Sequence, residues 1–179
     1  MTQTGREYAN ALFALARDEG ADDAVMDGLK LVGETWTREG GLVRFLNSRS
    51  VSKAEKSAAL EACYGAYVHV YVLNVLKILS HMCAAQLVPE VCAAYKSEYN
   101  AHHGILPVRA VTPRPLNGVQ LARLKEKLAA LTGKQIELAN DTDARLLAGV
   151  RLEYDKYMTD DTVRRRLEDM RALLTEKPM

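Results

Sequence analysis

The spacing of hydrophobic positions changes near residue 104 and divides the chain into two halves. Up to that point apolar side chains recur at helical intervals, whereas alternating stretches typical of strands follow it. Short polar or glycine-containing links separate the helical stretches, as in a compact bundle. The pattern predicts six helices in the first half, over residues 4–19, 22–39, 42–46, 52–63, 68–84 and 89–102.

The second half of the chain contains both helical and alternating, strand-like spacings of apolar residues. Strands are predicted at 105–112, 135–139 and 149–155, with a helix from Asn117 to Gly133 between the first two. A turn at 155–159, a short returning strand and a last helix beginning near Asp161 complete the pattern. The sequence therefore predicts an α+β protein, with an N-terminal six-helix bundle over residues 1–104 and a small α/β C-terminal domain over residues 105–179.

The first helix has an unusually wide apolar surface. Thr4 and Glu7 predict a capping box at its start, and its apolar positions then cover an arc of roughly 260°. An ordinary surface helix needs an apolar stripe of about 100° or a little more. Either the helix is central to a bundle and enclosed by its own chain, or it packs on the core with one edge and offers the other to a partner.

Composition argues against several classes of function without excluding local binding sites. The chain has 24 Lys and Arg against 23 Asp and Glu, so no overall field attracts nucleic acid or anionic lipid. No apolar run reaches about 18 residues and the polar N-terminus lacks a signal-peptide core, so we expect neither secretion nor a membrane span. Cys63, Cys83 and Cys92 form no C-x-x-C pair and are predicted to be small buried side chains in a reducing compartment.

No motif predicts catalysis, a cofactor or a metal. Thr132-Gly133-Lys134 lacks the first glycine and the Ser or Thr of a phosphate-binding loop, and is better explained as a helix end. His81 and Cys83, with the distant Cys92, lack a fourth zinc ligand. The run 164–166 is all Arg, but successive helical residues point about 100° apart and do not form one patch. We therefore expect a protein that is not an enzyme.

Seven short motifs follow one another along nearly the whole chain. They are Tyr8-Ala9-x-Ala11-Leu12-Phe13-x-Leu15-Ala16, Val51-Ser52-Lys53-Ala54-Glu55-Lys56, Asn74-Val75-Leu76-x-Ile78-Leu79, Leu87-x-Pro89-Glu90-Val91, Ala110 with Pro115-Leu116, Leu147-Ala148-Gly149-Val150 and Asp160-Asp161-Thr162-Val163-Arg164-x-Arg166-Leu167. In this order they resemble the delta subunit of F-type ATP synthases, the counterpart of the mitochondrial oligomycin-sensitivity-conferring protein. Members of that family often carry an Asn-Gly-Arg-like run where Met82-Cys83-Ala84 stands here.

The resemblance implies a non-catalytic stator subunit without cofactors. Its helical domain would bind the amphipathic N-terminal helix of an alpha subunit on the catalytic head, and its C-terminal domain would hold the b subunits of the peripheral stalk. The chain would then lie at the cytoplasmic face of the bacterial inner membrane as a peripheral part of the complex, without inserting into the bilayer. Two alternatives are a free-standing helical adaptor and a nucleic-acid binder that uses the more basic C-terminal half.

The resemblance also implies where the partner helix binds, because the family's groove lies between the first and fifth helices. The resemblance therefore favours the interpretation in which one edge of the first helix faces a partner. On a helical wheel Phe13 points away from Leu15, so Phe13 is assigned to the domain's own core. The residues predicted to contact the partner are Tyr8, Ala11, Leu12 and Leu15 of the first helix and Leu76, Leu79 and Cys83 of the fifth.

Overall fold

The chain forms two compact units, Met1–Tyr99 and Asn100–Met179. The computed structural model describes residues 2–38, 40–146, 149–154 and 157–162. Helices dominate before residue 103 and a four-stranded sheet follows, so the protein has the predicted α+β class. None of the helices in these ranges combines the length and hydropathy needed to cross a bilayer.

The helices before the first strand lie close to the predicted ranges, with short connections between them. Gly40 and Gly41, which lie between the predicted second and third helices, begin the third, since both have helical backbone. The helices are α1 Gln3–Asp18, α2 Asp22–Arg38, α3 Gly40–Asn47, α4 Lys53–Tyr64, α5 Val70–His81 and α6 Val88–His102, with one 3₁₀ turn, Ala85–Leu87, before α6.

A capping box starts α4. The Ser52 hydroxyl accepts from the Glu55 amide at 3.2 Å, and the Glu55 carboxylate accepts from the Ser52 amide at 3.0 Å. The box predicted at Thr4 is wrong, because α1 begins one residue earlier and Thr4 lies inside it. Thr2 is the N-cap instead, and its amide donates to the Glu90 carboxylate of α6 at 2.5 Å. This long-range contact sets where α1 starts.

The core of the first unit is continuous and takes side chains from all of its helices. Phe13 is buried there as predicted and packs edge-on against Tyr95, with 5.6 Å between ring centroids. Trp36 donates its indole N–H to the Ala85 carbonyl at 3.2 Å, which satisfies its polar atom inside the core. The cluster includes Leu12, Phe13, Val25, Met26, Leu29, Val32, Trp36, Leu46, Leu60, Tyr64, Val72, Leu76, Leu79, Val88, Val91 and Tyr95.

The second unit is a mixed sheet with a crossover helix. Its elements are β1 Ile105–Thr112, α7 Gly118–Thr132, β2 Gln135–Thr142, β3 Gly149–Tyr154 and β4 Tyr157–Thr162, and the strand order is β2-β1-β3-β4. β1 and β2 are parallel and joined through α7, while β3 is antiparallel to β1 and to β4. A capping box of Asn117 and Gln120 starts α7, and Gly133, at a φ of 66°, ends it.

The end of the chain differs from its predicted pattern. The predicted short returning strand is present as β4, but it extends over positions assigned to the turn before it and to the beginning of a helix near Asp161, since its backbone pairs with β3 from Tyr157 to Thr162. The rest of the predicted last helix, with Val163, Leu167, Met170 and Leu174, lies outside the described residues.

A single amide side chain fixes the turn after β1. Asn140 of β2 donates to the Ala110 carbonyl at 2.9 Å and to the Thr112 hydroxyl at 3.0 Å, and its carbonyl accepts from the Leu116 amide at 2.9 Å. Thr112 is buried, so its hydroxyl needs such a partner. The Thr112–Leu116 turn, which leads into α7, is therefore tied to the neighbouring strand.

Candidate helix-binding groove

α1 and α5 pack side by side and run in opposite directions. Near the start of α1 the Tyr8 hydroxyl donates to the thioether sulfur of Met82, which follows α5, at 3.3 Å. Near the end of α1 Glu19 accepts a hydrogen bond from the Tyr71 hydroxyl, at the start of α5. This bond raises the pKa of Tyr71, because ionising the phenol would break it. These two contacts fix the register of the pair.

The shallow surface between these two contacts is apolar. Each helix contributes three side chains at i, i+3 and i+7, a spacing that places them along one flank. Leu15 is 54% exposed, Ile78 45% and Met82 61%, although all three are large and apolar. We define the α1–α5 groove by Tyr8, Ala11 and Leu15 of α1 and Val75, Ile78 and Met82 of α5 and its end.

The exposure of this flank decides between the two interpretations of the first helix. Ala11 and Leu15 lie at the surface, whereas Ala9 and Ala16, on the other side of the helix, are fully buried. The helix is therefore not enclosed on every side by the described part of its own chain. The small side chain of Ala11 lies between Tyr8 and Leu15, where it allows another helix to approach closely.

Three residues predicted to contact a partner lie beneath the groove. Leu12 is 2% exposed, Leu76 2% and Leu79 1%, and all three belong to the continuous core. In the free chain they are therefore core residues, and their contact with a partner stays a prediction. These three leucines project toward the other helices of the unit. They pack in the core directly below the groove.

Cys83 does not line the groove. Its sulfur lies 3.4 Å from the Lys56 ammonium of α4, whereas the Tyr8 hydroxyl contacts the neighbouring Met82. The residues that the sequence reasoning missed are Val75, Ile78 and Met82. Their i, i+3, i+7 spacing was visible in the sequence, but which flank of α5 meets α1 depends on packing.

The chemistry of the groove suits binding rather than catalysis. Its six side chains include no carboxylate, ammonium, imidazole or thiol, so the groove itself has no pair of groups for proton transfer or nucleophilic attack. An apolar strip between two helices accepts the apolar face of a third helix, which anchors at i, i+3, i+4 and i+7.

A second concave surface lies between α2 and α6. It is a cavity of about 400 Å³ whose lining includes Met26, Leu29 and Cys92, with Lys30 and Glu34 among its polar groups. Burial raises the pKa of the Cys92 thiol to about 11, so this thiol stays protonated at neutral pH. The cavity offers an apolar floor and no activated nucleophile.

Comparison with known proteins gives a consistent result. Residues 4–174 match the family model described as ATP synthase delta (OSCP) subunit. The ATP synthase subunit delta of Parabacteroides distasonis is 30% identical over 170 residues, covering 94% of each chain. The subunit of the same name from Chloroherpeton thalassium is 28% identical over 163 residues, covering 91% of this chain and 89% of its own.

The fold also matches a solved structure. A chain in the cryo-EM structure of the Toxoplasma gondii mitochondrial ATP synthase hexamer aligns over 100% of both chains with a TM-score of 0.74. Sequence identity to that chain is 23%, so the likeness concerns the fold.

Proposed function

Because this chain belongs to the ATP synthase delta (OSCP) subunit family, we propose that it is a non-catalytic stator subunit of an F-type ATP synthase. In this role it links the catalytic head to the peripheral stalk and resists the torque of the rotor. Because the catalytic head is held still, rotation of the rotor is coupled to ATP synthesis and does not rotate the head. The observation that carries the proposal is the family match over residues 4–174.

In this proposal the N-terminal domain, residues 1–104, is a six-helix bundle that binds the head. Its α1–α5 groove takes the amphipathic N-terminal helix of an alpha subunit. Support comes from the exposed apolar strip of Leu15, Ile78 and Met82, which is free of charged side chains. Soluble proteins seldom leave a contiguous apolar patch exposed without a use for it.

The area of the apolar strip limits the binding free energy that it can contribute. Fully burying a large apolar side chain is worth about 1.5–3 kcal/mol, and these three side chains are already about half buried. Together they supply roughly 2–5 kcal/mol, part of which is offset by the loss of freedom on association. A tight complex therefore also needs contacts outside the strip.

The C-terminal domain, residues 105–179, would hold the b subunits of the peripheral stalk. With one domain bound to the head and the other to the stalk, the chain bridges two parts of the stator. It then lies at the cytoplasmic face of a bacterial inner membrane through its partners, without direct insertion into the bilayer.

The function can be tested in membranes. We expect an affinity-tagged full-length chain, purified from gently solubilised membranes, to bring down the alpha and b subunits. In membranes from cells lacking this chain, adding it back should restore ATP-driven proton pumping. Recovery of neither subunit, together with normal pumping in the chain's absence, would refute the proposal.

A free-standing adaptor for amphipathic helices is the second candidate, because the groove is formed entirely within one unit of the chain. The same purification distinguishes the two. An adaptor would recover a helix-bearing partner without the b subunits, and deleting it would leave proton pumping unchanged.

A further inference from the structure

The cavity between α2 and α6, which we call the α2–α6 cavity, has a floor of core side chains. Met26 is 5% exposed and Leu29 3%, and both belong to the continuous core of the first unit. The Cys92 thiol donates to the Leu29 carbonyl at 3.6 Å, which ties α6 to α2 beside this floor. The volume of about 400 Å³ lies within the range of small-molecule sites, about 300–1,000 Å³.

A glycine inside α2 keeps the cavity open. Gly33 lines the cavity, and a Cβ atom added to it would meet no atom of another helix within 4 Å. Glycine inside a helix costs stability relative to alanine. Close packing explains the other glycine of α2, since a Cβ at Gly28 would lie 3.3 Å from side-chain atoms of Val68 and Val72. At Gly33 the space that a side chain would occupy belongs to the cavity.

Cationic side chains outnumber anionic ones among the described residues that line the cavity. Lys30 and Lys96 stand against one carboxylate, that of Glu34. Lys96 is half-buried, whereas Lys30 and Glu34 are exposed. Asp27 pairs with Lys30 at 3.0 Å, and an exposed ion pair of this kind contributes little and exchanges readily. An acidic group above the apolar floor therefore has two ammonium groups within the lining to receive it.

We propose that the α2–α6 cavity binds a small apolar molecule that carries one acidic group, such as a short fatty acid or an aromatic carboxylate. The apolar body lies on Met26 and Leu29, where it is removed from water. The acidic group lies beside Lys96 and accepts charge-assisted hydrogen bonds from its ammonium. The cavity shares no lining residue with the α1–α5 groove, so this inference does not depend on the proposed function.

The probe is 8-anilinonaphthalene-1-sulfonate, an aromatic molecule with one sulfonate whose fluorescence rises in apolar surroundings. We expect the full-length chain to bind one dye molecule with a Kd of about 10–100 μM, as is typical of a ligand of this size. On binding, the methyl resonance of Met26 should shift, whereas those of Ile78 in the α1–α5 groove should not. N-phenyl-1-naphthylamine, which has the same rings without the sulfonate, should bind at least about threefold more weakly.

Gly33→Leu tests the position of the site, because it places a side chain in the cavity and leucine favours a helix more than glycine does. This variant should bind the dye at least about tenfold more weakly, since the apolar body loses its place on the floor. Ala24→Leu is the matched control, because it enlarges an exposed residue of the same helix outside the cavity. Its affinity for the dye should be unchanged. Unaltered binding by a folded Gly33→Leu variant would overturn the proposal.

Lys96→Met tests the acidic group, because it keeps the length of the side chain and removes the charge. It should weaken binding of the sulfonate dye about threefold and leave binding of the neutral dye unchanged. Lys53→Met, at an exposed position of α4 outside the cavity, should change neither affinity.

Three results with the unaltered chain would also refute the inference. They are absence of dye binding, equal affinity for the two dyes, and a shift of the Ile78 resonances without one of Met26. The last result would place the dye in the α1–α5 groove and would leave the proposed function untouched.

Discussion

The Tyr8 hydroxyl donates to the Met82 sulfur at 3.3 Å, which joins the beginning of α1 to the end of α5 across 74 positions of sequence. Both residues border the α1–α5 groove, so this contact closes one end of the apolar strip. The bond from Tyr71 to Glu19 closes the other end. Between these two contacts the apolar strip presents Leu15 and Ile78 at the surface.

Leu15→Glu should abolish most binding of the alpha subunit's N-terminal peptide and leave the domain folded. Leu15 is 54% exposed, so a carboxylate there stays solvated in the free chain and loses water only in the complex. Desolvating a neutral polar group without a partner costs about 1–3 kcal/mol, equivalent to a loss of affinity of roughly 5- to 150-fold, and a carboxylate costs more than that. Peptide titration by calorimetry measures the effect, and thermal melts check the fold.

Leu31→Glu is the matched control for that variant, because Leu31 is an exposed apolar residue of α2 outside the groove. Its peptide affinity should equal that of the unaltered chain. Normal binding by Leu15→Glu would instead mean that the partner helix occupies another surface.

Leu12 and Phe13 should behave as core residues. Leu12→Asp should unfold the first unit or cost at least about 3 kcal/mol of stability, because the new carboxylate is buried without a counter-charge. Phe13→Ala should cost about 3–5 kcal/mol through the cavity it leaves beside Tyr95. Urea denaturation followed by circular dichroism measures both. Ala14→Ser, at an exposed position of α1, should change little.

Asn140→Ala should destabilise the second unit by about 1–3 kcal/mol. The substitution leaves the buried Thr112 hydroxyl, the Ala110 carbonyl and the Leu116 amide without this partner. Amide hydrogen exchange in β1 and β2 should quicken, while exchange in α1 to α5 stays unchanged. Gln135→Ala, at the exposed start of β2, serves as the control. Equal rates of amide hydrogen exchange in β1 and β2 of the two variants would show that the hydrogen bonds of Asn140 contribute nothing to the stability of the second unit.

Tyr99 should make stability depend on alkaline pH. Its hydroxyl donates to the Asp23 carboxylate at 2.5 Å, and this bond, followed by burial and the charge of Asp23, raises the pKa of Tyr99 to about 12. The unfolded pKa is lower, near 10. The stabilisation of the folded state by the protonated Tyr99 hydroxyl is therefore fully present below about pH 10, and it is lost as the pH rises from there to about 12.

Tyr99→Phe tests this dependence, since phenylalanine keeps the ring and removes the titrating group. Its stability should fall less steeply between those two pH values than that of the unaltered chain, measured by denaturation at each pH. The phenolate absorbance of the unaltered chain should also rise in a step near pH 12 that the variant lacks. Identical pH profiles for both proteins would contradict the prediction.

A fragment of residues 1–104 should fold alone as a helical domain. It retains the whole of α6, Val88–His102, and every side chain of the continuous core of the first unit. Cooperative thermal unfolding followed by circular dichroism is the expected result. A fragment without a thermal transition would mean that the first unit needs the remainder of the chain.

The sequence alone determined the elements whose signals are local. The capping boxes of Ser52 with Glu55 and of Asn117 with Gln120 form between residues three apart, so neighbours in the chain suffice to specify them. The same holds for the helical periodicity before residue 104. The family resemblance followed from short motifs in order, and the matching family model agrees with it.

Tertiary structure decided what depends on distant partners. Thr2 rather than Thr4 caps α1 because Glu90, 88 positions away, binds it. Asp160 and Asp161 extend a strand because β3 supplies hydrogen bonds that outweigh their weak strand propensity. Leu12 and Leu15 both look apolar and helical in the sequence, but only the packing of α5 against α1 buries one and leaves the other at the surface.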